Sequence, residues 1–133
     1  MPKTAPLKFL FNAFLAHHRY DKRGASAMII IDLEWNSGSD YSGFDEILQI
    51  GAVRISAPGG CILDTFNVHV RPCVNTTLHP AAAILPELWH SFADGVCFPV
   101  AYLKFREWAR HEKDYAAWGE DDFRVLQQNV TFW

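Results

Sequence analysis

Two carboxylates directly follow an apolar run near the start of the chain. Residues 29–31 are three isoleucines, and they lead into Asp32, Leu33 and Glu34. In a β-strand, residues two apart lie on the same face, so Asp32 and Glu34 face one way and Leu33 the other. Charges beside a buried strand are unfavourable unless something pairs with them. No basic residue is close in sequence. A divalent metal ion is therefore one candidate partner, and an ion pair between one of the acids and a distant arginine is the other.

Length and composition limit the other possibilities. The chain has 133 residues, which suits one domain, and 50% of them are hydrophobic, which favours a packed core over disorder. A formal charge of −3 disfavours a broad basic surface for nucleic acid. It is compatible with a metal-centred site, where bound cations change the local sign. No apolar run approaches the roughly 18 residues that a membrane-spanning helix needs.

The cysteines and histidines carry no motif of their own. Cys61, Cys73 and Cys97 are an odd number without CxxC spacing, which predicts reduced, mostly buried thiols and a cytoplasmic location. The six histidines show no metal-ligand pattern such as HExxH.

Residues 1–26 differ from the rest of the chain. They are basic, and Leu7, Phe11, Phe14 and Leu15 would lie on one helical face. A targeting peptide, a helix packed on a neighbour, or a dispensable extension ahead of Met28 would each have this pattern. We predict a helical N-terminal extension over 1–26 without a catalytic role, followed by the functional domain over 27–133.

Three strands are predicted first, over about 28–34, 47–56 and 61–70. Turn-forming residues separate them, and the short connections favour an antiparallel meander. In the third strand apolar and polar residues alternate, which places His69 on the wet face, where we expect it to be a solvated side chain.

The pattern then changes to helices. Residues 81–90 predict one or two short helices interrupted by Pro86, and 99–111 predict a longer amphipathic helix. A short strand over 115–118 and a last helix over 121–129 follow. A strand reached through a helical crossover is usually parallel to its partner. The predicted fold is therefore α/β, with a mixed sheet of three antiparallel strands plus a parallel strand, and with flanking helices.

A third acid could join the first two. Asp122 falls in the first turn of the last helix, just after the fourth predicted strand. If that strand neighbours the first strand, Asp122 can approach Asp32 and Glu34. Three acids together would make a poor ion-pair network and a good site for one or two Mg²⁺ ions.

Three motifs in this order resemble a known family. They are Asp32-Leu33-Glu34, the stretch EILQIGAV over residues 46–53, and Trp118-Gly119 followed by Asp122. Together they resemble the DEDD (DnaQ-like) 3′–5′ exonucleases of the ribonuclease H-like fold, and in particular the bacterial KapD/Eri-1-type branch. The resemblance covers about residues 28–133.

The resemblance implies the site and its cofactor. Asp32 and Glu34 match the first motif and Asp122 the second, as catalytic residues and metal ligands for two Mg²⁺ or Mn²⁺ ions. Asp121 is the neighbour most easily confused with Asp122. The family pattern favours Asp122 because it lies four residues after Trp118. The expected substrate is the 3′ end of RNA or single-stranded DNA, with Leu33 and Trp35 as substrate-binding residues.

One departure from the family pattern lies at the end of the chain. The third motif, which carries a His or Tyr and the fourth acid, would fall beyond Trp133. The resemblance therefore implies a C-terminally truncated, partial 3′–5′ exonuclease domain over 27–133, with an incomplete fold and impaired activity. The alternative is a non-catalytic remnant that binds nucleic acid or is completed by a partner chain.

Overall fold

A computed structural model describes residues 27–37, 43–56, 60–117 and 119–133. The predicted extension over 1–26, most of the turn after Trp35, and Trp118 lie outside these ranges. The described elements, in chain order, are β1 (Met28–Asn36), β2 (Glu46–Ile55), β3 (Ile62–His69), a 3₁₀ helix (Pro86–Leu88), α1 (Trp89–Asp94), α2 (Phe98–Ala109), β4 (Asp114–Ala117) and α3 (Glu120–Phe132). Each element predicted after residue 27 is present, with ends that differ by a few residues.

The four strands form one mixed sheet in the order β3-β2-β1-β4. β1 pairs antiparallel with β2, and β2 pairs antiparallel with β3. β4 returns through α2 and pairs parallel with β1, from Met28 opposite Asp114 to Ile31 opposite Ala117. The structure thus confirms the predicted α/β fold with one parallel pair, and it confirms that the fourth strand neighbours the first.

The main hydrophobic core lies between one face of the sheet and helices α2 and α3. Ile29, Ile31 and Leu33 of β1 point into it, as the alternation of a strand requires. The two helices close this core with an apolar stripe at helical spacing. Its buried members are Phe98, Ala101, Phe105 and Ala109 of α2 and Val125 of α3.

The opposite face of the sheet carries Asp32 and Glu34, and we call it the acid-bearing face. At one end the segment 78–92 packs against it, where Leu88 and Ala82 bury Leu48 of β2. A β-bulge sets this geometry. Glu34 is opposite Gln49, whereas the next residue, Trp35, is opposite Ile47, so Leu48 is the extra residue of the bulge. The bulge therefore lets the acid-bearing face acquire a small apolar cluster just beyond Glu34.

Two buried polar side chains anchor the loop that leads to this segment. Glu46 is 2% exposed, and its carboxylate accepts hydrogen bonds from the backbone N–H groups of Cys73, Val74 and Asn75 at 2.6–3.1 Å. Asn36 is fully buried and bonds the backbone of residues 75, 77 and 79. Because these bonds satisfy polar groups that are shielded from water, they fix the path of the loop relative to β1 and β2.

Two expectations about polar residues are wrong. The cysteines are not mostly buried, because Cys73 and Cys97 are exposed and Cys61 is half-buried. His69 is not simply solvated, because its ring is half-buried beside α1. Both errors arise where a loop or helix that is distant in sequence sets the exposure of the residue. No helix within the described ranges is long and apolar enough to cross a membrane.

Candidate active site

The two acids of β1 lie on the acid-bearing face, as the spacing of the strand predicts. Asp32 and Glu34 are both half-buried, and they alternate with side chains that point into the core. Among the described residues, neither carboxylate takes part in an ion pair with a lysine, arginine or histidine. The predicted alternative, an ion pair with a distant arginine, is therefore not found in the described part of the chain.

Asp122 reaches β1 from the first turn of α3. The last described pair between β1 and β4 is Ile31 with Ala117, two residues before Leu33. The Oδ1 atom of Asp122 accepts a hydrogen bond from the backbone N–H of Leu33 at 2.9 Å. Asp122 is 7% exposed. A buried donor left unpaired is costly, so this bond holds the start of α3 against the centre of the first motif.

The acids perturb one another's protonation. Burial, and then the negative charge of Asp122, raise the pKa of Asp32 from 3.8 to about 6. Burial, followed by the charges of Asp32, Glu87 and Asp122, raises the pKa of Glu34 from 4.5 to about 7. The structure therefore brings all three predicted site residues within electrostatic reach of one another.

The donor set suits a hard divalent cation. Mg²⁺ and Mn²⁺ prefer carboxylate oxygens, and a cation would relieve the repulsion that raises these pKa values. Among the described residues, no three His, Cys, Asp or Glu side chains are arranged to hold a metal ion as they stand. The two findings are compatible because Coulomb forces act over longer distances than the 2.0–2.1 Å, roughly, of a Mg²⁺–oxygen bond. The three acids are thus close enough to affect one another's charge, but as they stand they do not form a three-ligand metal site.

The two predicted substrate-binding residues occupy different environments. The side chain of Leu33 is 3% exposed and belongs to the core, so only its backbone is available at the site. Trp35 is half-buried and packs against the same core. A substrate contact by Leu33 or Trp35 stays a prediction, which for Leu33 can involve only the main chain.

Two residues at the site were missed in the sequence. Glu87, in the 3₁₀ helix, is exposed, and its charge acts on Glu34. His69, at the end of β3, lies beside Ser91 and His90. No local pattern identifies Glu87, because its approach depends on the loop held by Glu46. For His69, the available signal was its strand alternation, which placed it on the face that also carries the acids.

Comparison with known proteins yields structural matches. No protein-family model and no curated protein sequence matches the chain. The nuclease domain of 3′hExo, a DEDDh family member bound to rAMP, superposes with a TM-score of 0.68 and 22% identity over 85% of this chain. Cell-death related nuclease 4 (CRN-4) gives a TM-score of 0.56 with 24% identity over 69% of this chain. The chain has the fold of these nuclease domains.

A third structural match is also to a nuclease of low sequence identity. It is a 3′-exonuclease described by its 3′-end-specific recognition of a histone mRNA stem-loop, with a TM-score of 0.55 and 22% identity over 70% of this chain. The chain spans less than two thirds of each of these structures: 62% of the 3′hExo domain, 45% of the histone mRNA exonuclease and 34% of CRN-4. At these identities the likeness establishes the ribonuclease H-like exonuclease fold.

Proposed function

We propose that the chain is a metal-dependent 3′–5′ exonuclease domain of the DEDD family, which hydrolyses the 3′-terminal phosphodiester of RNA or single-stranded DNA. The observation that carries the proposal is the meeting of Asp32, Glu34 and Asp122 at one end of β1, in a fold shared with 3′-exonuclease domains. The fold alone would be compatible with other chemistry, so the acids decide the assignment.

Each acid has a distinct part in the proposed site. Asp32 and Glu34 would hold Mg²⁺ or Mn²⁺ on the acid-bearing face. Asp122 would support the same site while its Oδ1 atom keeps β1 and α3 in register. Bound divalent ions supply charge that activates water and stabilises the leaving 3′ oxygen. The half-buried setting of Asp32 and Glu34 strengthens their attraction for a cation relative to an exposed pair.

A second candidate function is a nucleic-acid-binding module without efficient catalysis. The observation that favours it is coverage, because the chain spans 62% or less of the nuclease structures that it matches. General acid–base groups typically contribute a factor of about 10²–10⁴ to the rate, so a domain that binds a 3′ end without positioning such a group would cleave slowly.

The decisive assay uses an oligonucleotide labelled at its 5′ end, with Mg²⁺ or Mn²⁺, and with its 3′ end either free or blocked by phosphate. The first candidate predicts a ladder shortened one nucleotide at a time from the free 3′ end. This ladder should be lost with EDTA and in Asp32→Asn. Asp114→Asn, an exposed acid of β4, is the matched control and should retain activity. Binding without shortening would favour the second candidate.

Metal binding can be measured independently of cleavage. Relief of repulsion among Asp32, Glu34 and Asp122 predicts that millimolar Mg²⁺ or Mn²⁺ raises the melting temperature. The increase should shrink in Asp32→Asn and persist in Asp114→Asn. An unchanged melting temperature for the wild-type protein at millimolar metal would contradict the proposed site.

A further inference from the structure

A groove opens on the helical side of the sheet, between α2, β4 and α3. Its volume is about 720 Å³. Its floor includes Ile31, Phe105 and Leu126, which belong to the main hydrophobic core or pack against it. We call it the α2–α3 groove. It lies over the edge of the core and on the side of the sheet away from Asp32 and Glu34.

Three large apolar side chains on the walls of the α2–α3 groove are exposed. Leu103 of α2 is 63% exposed, Phe123 of α3 is 43% exposed, and Tyr115 of β4 is 41% exposed. Single exposed apolar residues are common on protein surfaces, but a contiguous apolar patch marks a surface that another segment or molecule covers. These three side chains surround one depression, so the groove has the character of a docking surface.

The N-terminal segment joins the domain beside this groove. Met28, at the start of β1, is opposite Asp114, at the start of β4. Adjacent strands lie about 5 Å apart. Arg110 and Glu112, which line one end of the groove, lie within four residues of Asp114 in the sequence. Residues 1–26 therefore connect to the domain at the end of the groove where α2 leads into β4.

The length and pattern of this segment suit the groove. The groove follows α2 from Tyr102 to Arg110, which is eight helical steps or about 12 Å. Residues 7–15 span the same number of steps. Their apolar members would lie on one helical face: Leu7, Phe11, Phe14 and Leu15. Residues 16–26 can span about 36 Å when extended, which is enough for the segment to turn back along α2.

A tethered segment has an advantage over other occupants. A short connection gives it an effective concentration in the millimolar range, whereas a second copy competes only at its actual concentration. Another exposed apolar surface is formed by Phe132 and Trp133 beside Phe44, which lies just before β2. That surface is at the end of the sheet where β1 stops, roughly 25 Å from Met28. The α2–α3 groove is the apolar surface that the segment meets first.

We propose that residues 7–15 form a helix whose apolar face docks in the α2–α3 groove and covers Leu103, Tyr115 and Phe123. The occupant is thus a segment of the same chain. Because the groove is on the helical side of the sheet, the docked segment leaves the acid-bearing face open. This contact does not depend on the proposed nuclease function.

Photo-cross-linking of the full chain tests where the segment lies. Benzoyl-phenylalanine in place of Phe14 should cross-link to peptides of α2 or α3 that line the groove. The same probe in place of Asn12, which lies off the apolar face, should give much less of this product. Mass spectrometry of the digested product identifies the cross-linked peptide. The mass of the undigested product shows whether one chain or two chains are joined.

Thermal unfolding provides a second measurement, made from the side of the groove. Leu103→Gln keeps a good helix former but removes its apolar surface. On an uncovered surface this change would have little effect, whereas beneath a docked segment it should lower the melting temperature by about 5 °C. Phe11→Gln should cause a similar loss. The double variant should lose little more than either single variant, because both changes remove the same contact. Lys104→Gln, an exposed neighbour outside the groove, is the control and should change little.

The position of the cross-link distinguishes the possible occupants. A cross-link from position 14 to α2 or α3 of the same chain supports the proposal. A cross-link that joins two chains would overturn it in favour of a second copy in the groove. A cross-link to the surface around Phe132, or a yield no higher than at position 12, would also overturn it. So would fully additive losses in the double variant, because they would show that Phe11 and Leu103 do not share a contact.

Discussion

Replacing Glu34 with glutamine should change how the stability of the metal-free protein depends on pH. Glu34 has a pKa of about 7 in the folded chain, compared with 4.5 for the unperturbed group. The folded state therefore holds more protons than the unfolded state between pH 4.5 and 7. By linkage, the free energy of unfolding falls as the pH rises through this window. Glu34→Gln removes the group that titrates.

The size of the effect follows from the pKa values. A rise from 4.5 to about 7 corresponds to at most about 3 kcal/mol, because each pKa unit is worth about 1.4 kcal/mol. Glu34 is only half-buried, so screening by solvent reduces this to about 1–2 kcal/mol. Near pH 4 the two proteins should be equally stable. At pH 8, in EDTA, Glu34→Gln should be more stable than the wild type by about 1–2 kcal/mol.

Urea unfolding monitored by tryptophan fluorescence at several pH values measures this difference. Other groups titrate over the same range. The lowered pKa of His69, for example, destabilises the folded state at low pH, and this penalty is relieved as the pH rises toward 6.5. The contributions of groups that do not interact with Glu34 cancel in the difference between wild type and variant. Glu107→Gln is the control, because Glu107 is 70% exposed and its ion pair with Arg110 is a surface contact.

The reasoning would be refuted if the difference between wild type and Glu34→Gln were the same at pH 4 and pH 8. It would also be refuted if the variant were less stable at pH 8. Either result would mean that the carboxylate of Glu34 is neither desolvated nor repelled by its neighbours, so the acids would not form a cluster.

Three further changes test the framework around the site by urea or thermal unfolding. Asp122→Ala should lower the free energy of unfolding by about 1–3 kcal/mol because the buried N–H of Leu33 loses its acceptor, and Asp122→Asn, which keeps an oxygen, should lose less. Equal losses of stability in the two variants would show that the hydrogen bond from Leu33 does not account for the effect. Glu46→Ala should lower the free energy of unfolding by about 3–5 kcal/mol because three N–H groups lose their shared acceptor. Glu107→Ala, at an exposed position, is the control and should change it little. A loss below about 1 kcal/mol would mean that water replaces the carboxylate. Gly95→Ala should lower the melting temperature by several degrees, because a Cβ there would collide with the backbone of two neighbouring segments, and an unchanged value would contradict that close packing.

Local patterns were sufficient for the elements and for part of the site. A period of two residues placed Asp32 and Glu34 on one face of a strand, and the change to a helical period after Pro72 marked the helices. The crossover rule then gave the parallel pairing of the last strand. These features depend on residues close in sequence, or on chain connectivity, and both are visible in the sequence itself.

Spacing in the sequence was enough to choose Asp122 as the third acid, but it did not predict the residue that Asp122 contacts. Asp122 lies four positions after Trp118 in the sequence, and this spacing distinguished Asp122 from Asp121. The hydrogen bond from Leu33 to Asp122 joins two residues that are 89 positions apart in sequence. It depends on how β4, which leads into α3, is placed against β1. Such a contact follows from sheet register, which one segment alone does not specify.

The amino-acid sequence by itself determined the strands, the helices and the common face of Asp32 and Glu34, because each depends on local periodicity. Tertiary structure alone decided the surroundings of these acids. It brought Glu87 toward Glu34 through a loop anchored by Glu46, and it buried His69 against Ser91. The physical reason is that burial and charge act through space. The pKa of a carboxylate depends on every group that folding brings near it, whatever its distance along the chain.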